Sequence, residues 1–238
     1  MAQSSYTSNF VLASLPAADI DMLLPHLRIV DLPQETVLFE PGGTVGNVVF
    51  PHAGIVSLVV NLATGEMIEC AMVGRESLVG GLAALDSNIS ISRAVMQVAG
   101  CASMVELEQA RRLAERSEKF RRMLVRHEQL LLAQCQQSAA CNAVHPLEAR
   151  LSRWLLRCRD LSASDDLALT QEFVAEMLGV RRTSVSIVAN TLQRAGFIKY
   201  RRGHIRVLDA TGLKESSCEC YEAVKMMSDR LIGPAPVF

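Results

Sequence analysis

Apolar residues change their spacing several times along the chain, and each change marks a different kind of structure. Residues 11–27 set Ile20, Leu23, Leu24 and Leu27 three and four apart, which predicts a helix with one buried face. The pattern then shortens to runs at 28–32, 36–40, 47–51, 55–61, 66–73, 93–98 and 101–107, each predicted as a strand. Turn signals divide them: Glu40-Pro41-Gly42-Gly43, Pro51 to Gly54, Thr64-Gly65, Val73-Gly74 and Ala99-Gly100. Many short strands so spaced predict an antiparallel barrel or jelly roll. Residues 75–92 interrupt them with the start of a short helix and a polar loop. Helical spacing returns at Leu107 and gives a long helix from Glu118 to Asn142, with Phe120, Leu124, His127, Leu131 and Cys135 on one side. Leu124, Leu131 and Ser138 are seven apart, which suits either a helix–helix seam or packing on the chain's own barrel. Pro146 starts a new helix with Leu147, Leu151, Trp154, Leu155 and Cys158 inward, and the tail from Thr211 to Met227 reads as helical.

The stretch LTQEFVAEMLGVRRTSVSIVANTLQRAGFI, Leu169 to Ile198, reads as two helices around a sharp turn. Thr170 is the N-cap of the first, Gln171 to Leu178, whose Phe173, Val174, Met177 and Leu178 share a face. Gly179 supplies the left-handed turn. The second helix runs from about Arg181 to Ala195, with Val185, Val188, Ala189 and Leu192 inward. Its first half carries Arg181, Arg182, Thr183, Ser184 and Ser186 where a recognition helix meets the major groove. Arginine reads guanine, and hydroxyls serve base edges or phosphates. Two short strands follow around Arg201-Arg202-Gly203-His204, a basic-tipped wing whose Lys199, Arg201, Arg202 and Arg206 suit phosphates. A plain helical hairpin in a packed core is the competing reading.

Charge sharpens the division. Residues 1–110 hold 3 basic and 11 acidic side chains, 111–144 hold 7 and 3, and 145–210 hold 11 and 7. An acidic front and a basic rear point to nucleic acid meeting the rear alone. Half the residues are hydrophobic, no uncharged apolar run is long enough to span a membrane, and MAQSSYTSNF lacks the regions of a signal peptide, so a cytoplasmic protein without a membrane partner is expected. Seven irregularly placed cysteines then read as reduced thiols; Cys218-Glu219-Cys220 is the only close pair, and no metal site is expected. An enzyme is not expected either. The five histidines are scattered, no metal or nucleophile motif occurs, and Gly80-Gly81 is too little for a phosphate loop.

The order helix, β-roll, long helix, proline break, helix, helix-turn-helix and wing resembles the Crp/Fnr family of bacterial transcription regulators over nearly the whole chain. Thr36-Val37-Leu38-Phe39 before Pro41-Gly42, and Val48-Val49-Phe50 before Gly54, add to the likeness. The resemblance implies an α+β protein in three parts. Residues 1–117 would form a cyclic-nucleotide-binding-like, jelly-roll-like β-roll, 118–144 the dimerisation helix, and 145–238 the winged helix-turn-helix and tail. It implies a homodimer on a palindromic operator in double-stranded DNA, contacted by Thr170, Gln171, Arg181, Arg182, Thr183, Ser184, Ser186, Arg201 and Arg202, with RNA polymerase as a further partner.

Members that bind cyclic nucleotides hold the ribose with Gly-Glu and the phosphate with an Arg followed by a small residue. Here Gly80 precedes Gly81, so the acidic partner is missing, whereas Arg93-Ala94 fits the closing pair. An effector site at Gly80, Gly81, Arg93 and Ala94 not specific for cyclic AMP is expected, with the effector itself unidentified. The alternative is a cyclic-nucleotide-responsive module that retains binding through Arg93. No cysteine stands in residues 1–30 to hold the family's iron–sulfur cluster, and Cys70, Cys101 and His52 do not map onto its haem site. No cofactor is expected.

Overall fold

Pro16 splits the first expected helix. In the computed structural model, which describes residues 6–233, α1 (Phe10–Ala13) ends before it and α2 (Ala17–Leu23) starts after it. The ring fixes φ and removes a donor, so proline fits the start of a helix and not its interior. Asn9 caps α1 by accepting from the Val11 and Leu12 amides, and it donates to the carbonyls of Pro51 and Ser77. The residues before Tyr6, and most of the terminal Gly-Pro-Ala-Pro-Val-Phe read as loose, lie outside the described part.

The sheet that follows is built from β1 (Arg28–Leu32), β2 (Val37–Phe39), β3 (Asn47–Asn61), β4 (Met67–Val73) and β5 (Arg93–Glu106), in the order β1-β5-β3-β4. The second half of β5 pairs antiparallel with β1, from Met104↔Arg28 to Gly100↔Leu32, and its first half pairs with β2. Four expected strands are therefore two. The run at 47–51 continues into 55–61, and 93–98 continues to Glu106. Gly54 and Gly100, expected in turns, lie inside long strands at a place where backbones nearly touch. A Cβ on Gly100 would stand 2.0 Å from the Ala53 carbonyl oxygen, and one on Gly54 2.5 Å from that of Val98. Glycine inside a strand often marks such a close approach.

Two compact units result. Among the described residues, one takes 6–58, 72–132 and 227–233; the other takes 59–71 and 133–226. The first is filled by Val48, Val49, Phe50 and Val56 of β3, Met96, Ala102 and Val105 of β5, and Ala110 and Leu113 of α3 (Leu107–Arg116). Phe120 and Leu124 of α4 (Glu118–Val144) join the same core. Burying each large apolar side chain is worth about 1.5–3 kcal/mol. His127 is buried there too, bonded through Nδ1 to the Ser77 hydroxyl (2.8 Å), and burial lowers its pKa to about 4.

The second unit contains α5 (Leu147–Ser162), β6 (Asp166–Leu167), α6 (Gln171–Leu178) and α7 (Arg182–Arg194), then β7 (Ile198–Arg201), β8 (His204–Val207), α8 (Ala210–Glu215) and the first part of α9 (Cys220–Leu231), to Met226. Leu151, Trp154, Leu155, Val174, Met177, Val185 and Leu192 are buried in it. Trp154 donates its indole N–H to Glu69 Oε1 at 2.9 Å, so Glu69 of β4 is buried within this unit. β6 is a strand the sequence did not announce; two residues suffice because β8 offers it an edge.

The stripe along α4 is spent within the protomer. Phe120, Leu124, His127, Leu130, Gln134, Ser138 and Cys141 are all buried. The 124–131–138 spacing therefore marks an internal face. The large apolar positions left open are Val125 (42 % exposed), Leu132 (59 %) and Val144 (77 %), of which the first two are also seven apart.

Gly100→Ala should cost more than about 3 kcal/mol of stability, because backbone and not a side-chain end occupies the new atom's place. Gly46→Ala, where a Cβ meets nothing within 4 Å, should stay within about 0.5 kcal/mol. Urea unfolding followed by circular dichroism compares the two, and equal stabilities would refute the close approach.

Candidate nucleic-acid interface

Thr170 begins the interface. Its backbone is extended, and its hydroxyl accepts from the Phe173 amide at 3.1 Å, a standard N-cap. α6 then runs two turns to Leu178, with Phe173, Val174, Ala175, Met177 and Leu178 buried. Gly179 turns the chain at φ +63°, and a Cβ there would sit 3.0 Å from Ile68. Arg150 donates to the Leu178 carbonyl and so satisfies the end of α6. α7 starts at once, with Arg181 at its N-cap.

The buried side of α7 is Val185, Ala189 and Leu192, as the spacing predicts. The opposite side carries Arg181, Arg182, Thr183, Ile187 and Asn190, all exposed. Ser184 and Ser186 are only half-open. Ser186 is committed internally: its hydroxyl lies 2.6 Å from Gln171 Oε1 and 3.1 Å from the Arg182 carbonyl. Gln171 and Ser186 thus tie α6 to α7. Arg182 Nε stands 3.5 Å from Glu172 Oε2, with both side chains about two-thirds exposed. Such a surface pair is worth about 0–1 kcal/mol and opens readily for a stronger acceptor.

Ile187 did not stand out in the sequence, yet it is 68 % exposed on this face. A branched apolar side chain beside two arginines fits the methyl group of a thymine. The available signal was its position opposite Val185, Ala189 and Leu192.

β7 and β8 pair from Ile198↔Val207 to Arg201↔His204. Arg202 and Gly203 form the tip with φ of +20° and +82°. Lys199, Arg201, Arg202 and Arg206 all face solvent. Gln193 of α7 accepts the Tyr200 amide at 2.8 Å, which fixes the root of the hairpin to the recognition helix.

The expected effector residues lie in the first unit. Ala94 is buried opposite Phe39 in the sheet. Arg93 Nε is 3.6 Å from Glu40 Oε1. A Cβ on Gly80 would lie 2.9 Å from the Asn47 carbonyl oxygen. At Gly81 it would lie 2.4 Å from Leu78 Cδ1 and 3.1 Å from Leu124 Cδ2, so a longer side chain there meets apolar core. The helical turn that follows, Leu82–Ala84, is a single 3-10 turn. Its leading amide, Leu82 N–H, already donates to Glu128 Oε1 at 3.1 Å. Burial raises the Glu128 carboxyl above the usual range, and the Leu82 N–H draws it back. Arg111 binds the same loop through the carbonyls of Ala83 (3.1 Å) and Asp86 (2.7 Å).

Residues 149–216 match the family model of the Crp-like helix-turn-helix domain. Comparison with curated protein sequences gives no match. Several solved structures share the fold along the chain. FixK2 from Bradyrhizobium japonicum superposes with a TM-score of 0.69 at 15 % identity, over 81 % of this chain and 98 % of its own. The c-di-GMP-responsive global regulator CLP of Xanthomonas campestris gives 0.65 at 18 %, over 81 % and 99 %. A Crp/Fnr-family transcriptional regulator from Thermus thermophilus gives 0.66 at 22 %, over 80 % and 98 %. At these identities the likeness is one of fold.

Proposed function

We propose, for a chain that has the Crp/Fnr fold and carries a Crp-like helix-turn-helix domain at residues 149–216, that it is a homodimeric transcription regulator reading a palindromic operator. The observation that carries the reading is the open face of α7. Arg181, Arg182, Thr183 and Ile187 stand free of the core, and the root of the basic wing is bonded to the same helix. Arg182 would leave Glu172 for a guanine, and Ile187 would meet a thymine methyl. Thr170, Thr183 and Ser184 would serve phosphate or base edges. Gln171 and Ser186 would act first by holding α6 to α7, since they are bonded to each other. Arg201 and Arg202 would hold phosphate. Work at a promoter then runs through RNA polymerase.

Val125 and Leu132 would form the dimer contact in place of the 124–131–138 face, which is buried in the protomer. A palindrome read in successive major grooves needs two recognition helices about 34 Å apart, and only two copies supply them.

The front unit would not select cyclic AMP. An acidic side chain at 81 has no space, Glu128 holds the amide an anion would seek, and Glu40 holds Arg93. A nucleotide-responsive role through Arg93 would first have to break that pair.

Arg182→Ala should lower affinity for the operator by about 1–3 kcal/mol and relax preference at one base pair per half-site. Arg202→Ala should weaken specific and random DNA alike and reduce the salt slope by about one per wing. Binding titrations over a randomised half-site library at two salt concentrations distinguish them, and unchanged base preferences in Arg182→Ala would refute the assignment. Leu132→Glu should convert dimer to monomer in sedimentation velocity at micromolar concentration and cost operator binding; a stable dimer in that variant would remove the contact. Calorimetry with cyclic AMP should show no micromolar binding. A micromolar Kd abolished by Arg93→Ala would overturn the effector reading.

A further inference from the structure

Four metal-ligand side chains converge in the second unit. Cys141 lies in the last turn of α4 and His145 just beyond it, four residues on. Cys218 precedes α9, and Cys220 is its first residue. The ligand atoms of all four lie within 4.8 Å of one another. Cys141 Sγ is 3.5 Å from Cys218 Sγ, and Cys220 Sγ is 3.5 Å from His145 Nδ1. All three thiols are buried. Tetrahedral zinc, with Zn–S near 2.3 Å, sets its sulfurs roughly 3.8 Å apart. The cluster has that size. An iron–sulfur cluster interposes sulfide ions and spreads its thiolates further.

We propose that Cys141, His145, Cys218 and Cys220 form a tetrahedral Cys3His site for a zinc-like divalent cation, stapling the end of α4 to the start of α9.

The surroundings are built for such an ion. Glu219 Oε2 is 3.3 Å from His145 Nε2 and takes that N–H, which leaves the Nδ1 lone pair directed at the cluster. A carboxylate behind a histidine ligand is the usual partner that fixes tautomer and ring orientation. Gln137 donates to Cys220 Sγ at 3.0 Å, and a backbone bond from Cys220 reaches the Cys218 sulfur. Three thiolates and one dication leave a net charge of −1. Arg150 and Arg153 interact electrostatically with Cys141 and offset it. Tyr221, next to the last ligand, donates to Asp160 at 2.7 Å and anchors the start of α9 on α5. Thiolate and imidazole donors in a closed tetrahedral set favour zinc over the harder divalent ions, and four protein ligands leave no position for substrate, so the role is structural.

The test uses the full chain, expressed with zinc and purified under reducing conditions without a histidine tag or chelator. Elemental analysis should find about one zinc per chain. Cys218→Ser/Cys220→Ser should fall at least five-fold, whereas Cys101→Ser keeps its zinc. Replacement by Co²⁺ should give the intense visible absorption of a tetrahedral thiolate–imidazole site in the unmutated protein, a readout that does not depend on the folding of any variant. Glu219→Gln should bind Zn²⁺ about 10–100-fold more weakly in competition with a chromogenic chelator. The proposal is overturned if the unmutated chain takes up less than 0.2 equivalents after incubation with Zn²⁺, if the double variant retains full zinc, if Co²⁺ shows only weak octahedral bands, or if iron with sulfide, or a Cys141–Cys218 disulfide, occupies the site instead.

Discussion

The left-handed turn at Gly179 is the constraint on which the second unit depends. Only a residue without Cβ adopts φ +63° at little cost and fits beneath Ile68, 3.0 Å from where a Cβ would stand. That turn lets α7 start after only three intervening residues, 179–181. It therefore decides which side of α7 meets Val174 and Met177 and which stays open with Arg181, Arg182 and Ile187. Ile68 comes from the start of β4, which Glu69 holds by accepting the Trp154 indole N–H. The recognition helix thus rests on a segment more than a hundred residues earlier in sequence.

In the first unit, the chain's own groups crowd Gly81 and the loop after it. Leu78 and Leu124 stand where a side chain at 81 would go, Glu128 accepts the Leu82 amide, and Arg111 ties the loop carbonyls. Glu128, half-buried, thereby already takes the first N–H of the Leu82–Ala84 turn. The roll that results is held from within, with Arg93 paired to Glu40 at its edge.

Much of this was legible in the sequence, and for a definite reason. Thr170, Gly179 and the stripe Val185-Ala189-Leu192 fix a helix-turn-helix through effects within four residues, and α6 and α7 fall within a residue of their expected limits at nearly every end. Pro146 ends α4 and opens α5 for equally local reasons. Strands β1 and β2 fall within the expected runs 28–32 and 36–40, and the wing turns where Arg202-Gly203 allow it.

Tertiary structure decided what local rules leave open. Glycine is the same signal in a turn and at a close crossing, so only the approach of Ala53 to Gly100 shows that two pairs of runs are two long strands. A helix whose apolar residues recur every seven positions has more than one such row. Packing within the protomer took Leu124 and Ser138 and left Val125 and Leu132 open, a choice no periodicity makes. Nor does spacing bring Cys141 and His145 to Cys218 and Cys220. Those pairs lie at the ends of separate helices, with Cys141 and Cys218 77 residues apart, and their ligand atoms meet through the packing of the chain, not because the sequence carries their pattern.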